Sequence, residues 1–552
     1  MSTLDWGVFL STLIGVILYG LWRGRGNANA DDYLRAGQSM PWYSVLLGVM
    51  ATQASAITFL SAPGQAFTDG MRFVQYYFGL PLAMIVISVV FIPMFRRINA
   101  YTAYEFLEQR FDRRARITAS VLFLLSRGLS TGISIYAPSI IVATLLDWNI
   151  YATNVIVGGL LLLYTLFGGA RSVAHTQTLM FGIILTSMTA AGFFLASGFP
   201  NQISVADALR LSDIAGKLNV ITTEFDLHDK YNMWSGLLGG FFLALSYFGT
   251  DQSQVGRFIT GKNIRESRIG LLVNGVVKIP MQFGILLIGA LLVALYSVVP
   301  GPIFFNEAVA RRANRADAAT AATLHRQWDI ANAELQRAAR QVLNELPGAE
   351  NAYRRAYDST TLLRAKYRTF VRSTGILESN DTNYIFLHYV RTMLPAGLIG
   401  LIFAVVIMAS WGSISAGFHS LATASVVDLR GITNTVSDVT AARWHTFLWA
   451  AFGIAMSMLA TQMGSLIEAV NILGSLFYGP ILGIFLVAFY VKKANGTDVF
   501  RGAILAEFVV VAFWVLNLVS FLWLNVVGAL VVVLYALVSS AYHRKPTGQT
   551  SS

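Results

Sequence analysis

Apolar segments of roughly 20 residues, the length a helix needs to cross a bilayer, recur along this chain about 13 times. In hydrocarbon every backbone amide and carbonyl must be satisfied internally, so such a chain folds as a bundle of helices. The spans read at 5–22, 42–67, 74–95, 117–146, 150–169, 173–197, 232–254, 269–299, 390–426, 444–462, 465–491, 499–518 and 521–541. Several exceed one crossing, and tilt or breaks are expected in them. Composition agrees: of 552 residues, 55% are hydrophobic and 12% charged, and the mean hydropathy is +0.58, which excludes an ordinary soluble protein. The net charge of +11 reads as Lys and Arg in cytoplasmic loops and not as a nucleic-acid surface. The lack of cysteine excludes disulfides, iron–sulfur clusters and thiolate zinc sites.

Charge also orients the bundle. Met-Ser-Thr-Leu-Asp precedes the first span without a positive residue, and Arg23 and Arg25 follow it. This polarity predicts an uncleaved helix with its N-terminus outside. Alternation then gives the cytoplasm Arg96-Arg97 to Arg116, Arg171, Arg257 to Arg268, Arg430, Lys492-Lys493 and His543-Arg544-Lys545, with a cytoplasmic C-terminus at the cell membrane. One external loop, from Phe305 to Asn383, breaks the charge rule with runs such as Glu307-Ala-Val-Ala-Arg-Arg-Ala-Asn-Arg315. Long loops translocate regardless of charge. Leu346-Pro-Gly348 reads as the turn of a helical hairpin, either a solvated lid or spacer, or a surface for a partner.

Three polar stretches interrupt the apolar spans. Ala51-Thr-Gln-Ala-Ser-Ala-Ile-Thr-Phe-Leu-Ser-Ala-Pro-Gly64 is rich in hydroxyls and punctuated by Gly and Pro; Gly239-Gly240 through Ser246-Tyr-Phe-Gly-Thr-Asp-Gln252 comes five spans later. Backbone that leaves the helical path at membrane depth is tolerated where it faces protein, water or a bound solute. Two such stretches five spans apart are what a transporter built of two inverted five-helix repeats requires. In the third stretch, Ala409 to Ser420, the residues Ser410, Ser413, Gly417 and Ser420 share one helical face, a surface for close helix packing or, alternatively, for cation ligands. Exposed amides near Thr52 to Ser55 favour a carboxylate or halide. Arg127 reads as a snorkelling side chain near the cytoplasmic boundary. Enzyme signatures such as His-Glu-x-x-His or a phosphate-cradling Gly-rich loop are missing.

With Tyr164-Thr-Leu-Phe-Gly-Gly169, Thr250-Asp-Gln-Ser-Gln-Val-Gly-Arg257, Pro395-Ala-Gly-Leu-Ile-Gly400 through Asp428, and Gly474-Ser-Leu-Phe-Tyr-Gly-Pro480 in this order, the chain from Asp31 to Tyr490 resembles the sodium/solute symporter family, which has the leucine-transporter fold. Ser61-Ala-Pro-Gly-Gln-Ala-Phe, Tyr104-Glu-Phe-Leu-Glu-Gln-Arg-Phe111 and Tyr136-Ala-Pro138 look most like its iodide, monocarboxylate and multivitamin branch. The resemblance implies an all-α polytopic membrane protein with a 5+5 inverted-repeat core and two broken helices. Its layout would be an extra N-terminal transmembrane helix and loop at 1–30, repeats at 31–231 and 232–491, and a hairpin insertion at 303–385. Two C-terminal transmembrane helices at 492–542 and a polar tail at 543–552 complete it.

The resemblance implies sodium as co-substrate, held by the carbonyls of Ala51, Ala54 and Ala409 and the hydroxyl of Ser413, with Gly412 standing where relatives carry a second hydroxyl. Where relatives have Thr-Asp, this chain has His175-Thr176-Gln177, so one sodium per cycle is expected, although Ser415 keeps part of the second-site pattern. Solute contacts are expected from Gln53, Ser55, Thr58, Phe73, Gln75, Tyr77 and Tyr247, the last matching an inner gating tyrosine. Asp251 and His419, the latter at a position where relatives place asparagine, are candidates for gating or a second ion. The function expected is sodium-coupled import of a small solute or anion; the alternatives are a proton-coupled transporter of the same fold and a receptor that signals through a partner at 305–383.

Overall fold

The computed structural model describes residues 1–23, 40–53, 55–98, 101–146, 148–200, 203–431 and 436–542. Ala54, Asp31, the side chains of His175 and Thr176, and the tail at 543–552 lie outside the described residues. The described chain is helical, with one isolated bridge between Met40 and Gly261. In chain order the helices are α1 (Thr3–Arg23), α2 (Trp42–Gln53), α3 (Ala56–Asp69), α4 (Met71–Arg97), α5 (Glu105–Arg110), α6 (Arg113–Leu146) and α7 (Ile150–Ser197). There follow α8 (Val205–Ile214), α9 (Ser235–Thr250), α10 (Gln252–Ile259), α11 (Ile264–Val298), α12 (Glu307–Ala316), α13 (Ala318–Leu343) and α14 (Ala349–Ser373). The last are α15 (Ile385–Met393), α16 (Leu398–Arg430), α17 (Val436–Ser457), α18 (Leu466–Tyr490), α19 (Gly496–Val515) and α20 (Phe521–Tyr542). Among the described residues, seven helices are long and apolar enough to span a bilayer, and the bent pair α2 and α3 makes an eighth.

The first break lies at 53–55, where α2 and α3 meet at 60°. Pro63 and Gly64 do not break α3; Pro63 sits inside it. The second lies at Asp251, whose extended backbone (φ −74°, ψ 118°) ends α9 and whose carboxylate caps α10 through the Ser253 amide. The pair Gly239-Gly240 leaves only a locally widened turn at the start of α9. Both broken helices lie between the same neighbours: α2 and α3 pack on α11 and α16, and α10 packs on α16 and α2. The break points are thereby brought into the interior of the bundle.

Two spans differ from the sequence reading. Residues 150–197 form one helical run of 48 residues, in which Gln177–Ser197 is long and apolar enough to span a bilayer and Ile150–Leu163 is a shorter apolar stretch. The span expected at 390–426 is divided: α15 stops at Met393, Gly397 takes φ +91°, and α16 then runs from Leu398 to Arg430.

The hairpin forms as its turn chemistry requires, α13 and α14 being joined through Gly348 at φ +74°. Its apolar face is not left to solvent. Trp328 donates to the Gly301 carbonyl at 3.0 Å, and Arg364 lies over the rings of Phe305 and Phe67, 4.5 and 5.2 Å from their centroids. Arg364 and Arg368 reach the fully buried Asp381 at 2.7 and 2.8 Å. The hairpin is thus clamped onto the C-terminal part of α3.

Candidate functional site

A cavity of about 140 Å³ opens at the first break. Ser55 precedes α3 in extended conformation, and its hydroxyl does not cap the helix, which leaves it to the cavity. Thr58 closes the break by donating to the Gln53 carbonyl at 3.2 Å, while Gln53 reaches across to Asn274 on α11 at 3.1 Å. The first amides of α3 therefore end in a polar hollow, a setting that favours negative charge.

Of the expected solute contacts, Gln53, Ser55, Thr58, Tyr77 and Tyr247 line this one cavity, together with Ser413 from the expected sodium shell. Phe73 and Gln75 do not. Phe73 stacks on Tyr76 at 5.5 Å and meets Tyr231 edge-on; Gln75 donates to the Tyr231 carbonyl at 2.8 Å and accepts from the Thr222 amide at 3.0 Å. Residues 71–77 wind as a tight three-residue-per-turn helix, in which positions three apart eclipse, so Phe73 follows Tyr76 into aromatic packing. Tyr76 itself lines the cavity and donates to Asn471 of α18 at 3.1 Å.

Sequence reasoning missed Ser130, Thr131 and Ser134 on α6, Asn471 and Tyr478 on α18, and above all Lys278 on α11. The first three were legible as a hydroxyl row at helical spacing, and Lys278 as a lone charge within the apolar run 269–299. Lys278 is 2% exposed, and among the described residues its ammonium has no carboxylate and no hydrogen-bond acceptor, only the Tyr77 ring at 5.6 Å. Arg127 is buried and lines the cavity, which corrects the snorkelling assignment. It is neutralised by Asp251 at 3.9 Å and lies 5.9 Å from the Tyr247 centroid. Asp251 also accepts from the Ser253 hydroxyl at 2.6 Å and Tyr478 at 3.1 Å, and Tyr247 accepts from Gln254 at 2.6 Å. These contacts knit α6, the second break and α18 into one polar floor.

The residues of the expected sodium shell, Ala51, Ala409, Gly412 and Ser413, are buried where α2 packs against α16; Ala54 belongs to the undescribed residues. The Ser413 hydroxyl donates to the carbonyls of Ala409 and Ser410 at 3.1 and 3.2 Å, which leaves its oxygen lone pairs available. Ser410 is committed to Val406 at 3.0 Å. The Gly412 carbonyl takes Gln177 Nε2 at 2.9 Å and Ser415 at 3.3 Å, so it is a weak candidate ligand. Gln177 Oε1 is buried without a hydrogen-bond partner among the described residues. A hard cation needs several oxygens, and among the described residues the Ser413 hydroxyl keeps lone pairs free for one. His419, on the same helix, does not line the cavity.

Comparison with known proteins accords with this architecture. The sodium:solute symporter family matches residues 33–325. The human sodium/iodide cotransporter is 29% identical over 278 residues, 49% of this chain but only 42% of the cotransporter. The sodium/sialic acid symporter NanT of Aliivibrio fischeri is 25% identical over 551 residues, 97% of this chain and 92% of that protein. The human sodium-coupled monocarboxylate transporter 1 is 24% identical, covering 93% of this chain and 73% of the relative. The solved structure of a sodium-coupled sialic acid symporter, substrate-bound and outward-open, superposes with a TM-score of 0.75 at 20% identity, covering 98% of both chains, and so has the same fold. These relatives are sodium-coupled transporters rather than enzymes, with sodium as co-substrate. With more than half its length matched by that family and a bundle of apolar helices folded around a broken one, the chain belongs to the sodium:solute symporter family.

Proposed function

We propose that this protein imports one small organic anion with one sodium ion per cycle by alternating access. The observation that carries the anion is Lys278. A charge in the middle of a membrane helix costs about 2.5–3.5 kcal/mol even on the mildest scale, and such groups pair with one another or mark the path of a ligand. Arg127 has Asp251; among the described residues Lys278 has only a ring. A carboxylate brought in by the solute supplies the missing partner, and the first amides of α3 add to its stabilisation. Sodium is assigned to Ala51, Ala54, Ala409 and Ser413, with Gly412 the weakest member. Tyr247, held by Gln254 on the far side of the second break, is assigned as the inner gate.

The finer architecture belongs to the same reading: about 13 crossings, two inverted repeats at 31–231 and 232–491, the N-terminus outside and the C-terminus in the cytoplasm. Coupling follows if sodium and solute favour the same conformation, in which case each tightens the other by the same factor.

A thermal-shift screen of the purified protein tests it, since only ligands of the folded state raise its stability. Monocarboxylates, sialic acid, halides, neutral sugars and amino acids are each added with and without sodium. Stabilisation by an anion that deepens in sodium and vanishes in Lys278→Met is expected. Equal stabilisation by a neutral sugar in both proteins would remove the anion, and indifference to sodium would remove the coupling.

A further inference from the structure

A second chamber opens at the hairpin end of the bundle and shares no lining residue with the central cavity. It holds about 580 Å³ between α12, α15 and the segment Trp148 to Tyr151 that leads into α7. Among the described residues four guanidiniums line it, Arg311, Arg312, Arg315 and Arg391, against two carboxylates, Glu307 and Glu378. Both carboxylates are engaged. Glu307 receives Arg391 on both oxygens, at 2.6 and 2.7 Å, with Arg311 at 3.9 Å. Glu378 lies in the wall under the hydroxyls of Tyr136 and Tyr384.

Arg312 and Arg315 make no salt bridge among the described residues; both are exposed, and the charge of Arg312 also acts on Glu378. Three apart on α12, they present their charges from one side of the helix. The helix that carries them is fixed: Val309 and Ala313 are buried, and Asn314 is held by Tyr367 at 2.7 Å and by His325 at 3.1 Å. The chamber also contains Trp148 and Tyr151, whose rings are half exposed. Two like charges one helical turn apart attract an anion, and guanidinium forks match the oxygens of a carboxylate. An aromatic surface beside them suits a flat apolar body.

We infer that this chamber is a second binding site, for a dissolved carboxylate with a flat apolar body, gripped by Arg312 and Arg315 against Trp148 and Tyr151. It stands on its own geometry and does not depend on what the central cavity carries. Its consequence is a raised local concentration of organic anions at that end of the bundle.

Equilibrium dialysis with labelled benzoate tests it, on the full chain in phosphatidylcholine nanodiscs. The double variant Arg312→Gln/Arg315→Gln is expected to weaken benzoate binding at least fivefold, Trp148→Ala to weaken it severalfold, and Lys278→Met to leave it in place. Arg312→Lys/Arg315→Lys keeps the charge and serves as the folding control, with binding between wild type and the Gln pair. Wild-type affinity in the Gln pair overturns the site, and so does binding lost only in Lys278→Met. Phosphatidylglycerol nanodiscs separate the two sources of an anionic group: unchanged benzoate binding supports a dissolved ligand, and its abolition assigns the arginines to a lipid headgroup instead.

Discussion

Lys278 lies in Gly275-Val-Val-Lys278-Ile-Pro280, a segment hydropathy passes over because one charge barely lowers the mean of an apolar run. Its replacement by methionine removes a desolvated charge while keeping the volume. The ligand-free protein should therefore melt higher, and anion-dependent stabilisation should disappear; a lower melting point would show that the ammonium is satisfied in the empty state. Ser413→Ala removes one oxygen from the proposed sodium shell and little packing volume. The sodium concentration for half-maximal uptake should rise severalfold with the melting temperature nearly unchanged; an unaltered sodium response would take Ser413 out of the site. Gln53, Ser55, Thr58, Tyr77, Tyr247 and Ser413 were expected from the family resemblance, and all six line the central cavity. Phe73 and Gln75, expected with them, do not, because a short tight helix turns side chains by a different angle per residue from the one assumed for its neighbours.

The first break was legible as an element, and its position was not. Hydroxyls, Pro63 and Gly64 marked out the stretch from 51 to 64, yet the chain bends at its beginning, while Pro63 is absorbed into α3. Arg127 was misplaced for a related reason. The helix that bears it starts at Arg113, four residues before the apolar run begins at 117. Counted from 117 at 1.5 Å per residue, Arg127 lies about 15 Å into the span, too deep to snorkel. Asp251 then has two tasks, capping α10 and neutralising Arg127. Asp251→Ala should cost about 1 kcal/mol for the cap and about 3–5 kcal/mol more if the stranded guanidinium stays buried. Arg127→Leu in the same chain should recover most of the second part. A melting temperature in the double variant as low as in the single one would show that the pair contributes nothing beyond the cap.

Over the whole molecule, the hairpin is where sequence pattern said least about placement. Its helices and its turn at Gly348 follow from composition, but the clamp depends on Asp381, far along the chain from Phe67 and Phe305, and spacing could not reveal it. Burial alone would raise the Asp381 carboxyl; the guanidiniums of Arg364 and Arg368, with the Phe305 amide, nevertheless hold it below the ordinary carboxylate range. A depressed native pKa means that this stabilisation is complete above the ordinary range and is lost as pH falls through the lower native value. Hydrogen exchange in α13 and α14 should therefore accelerate at strongly acidic pH. Arg364→Ala should produce the same loosening at neutral pH, at a cost of about 3–5 kcal/mol, and unchanged exchange in that variant would dismiss the clamp.

The backbone just after the clamp bears directly on the core. The Thr382 carbonyl lies so close to Gly64 that no larger residue fits there, and the neighbouring Asn383 accepts from Ser61 at 2.7 Å while donating to the Gly464 carbonyl at 3.2 Å. A rigid body some twenty-five residues long on each arm is thus fastened to the helix that frames the central cavity. Any swing of α3 should reappear, magnified by that lever, at the hairpin tip. Because the chain has no native cysteine, one label at the tip and one on α20 would turn the hairpin into a pointer that reads out, by distance alone, which way the transporter faces.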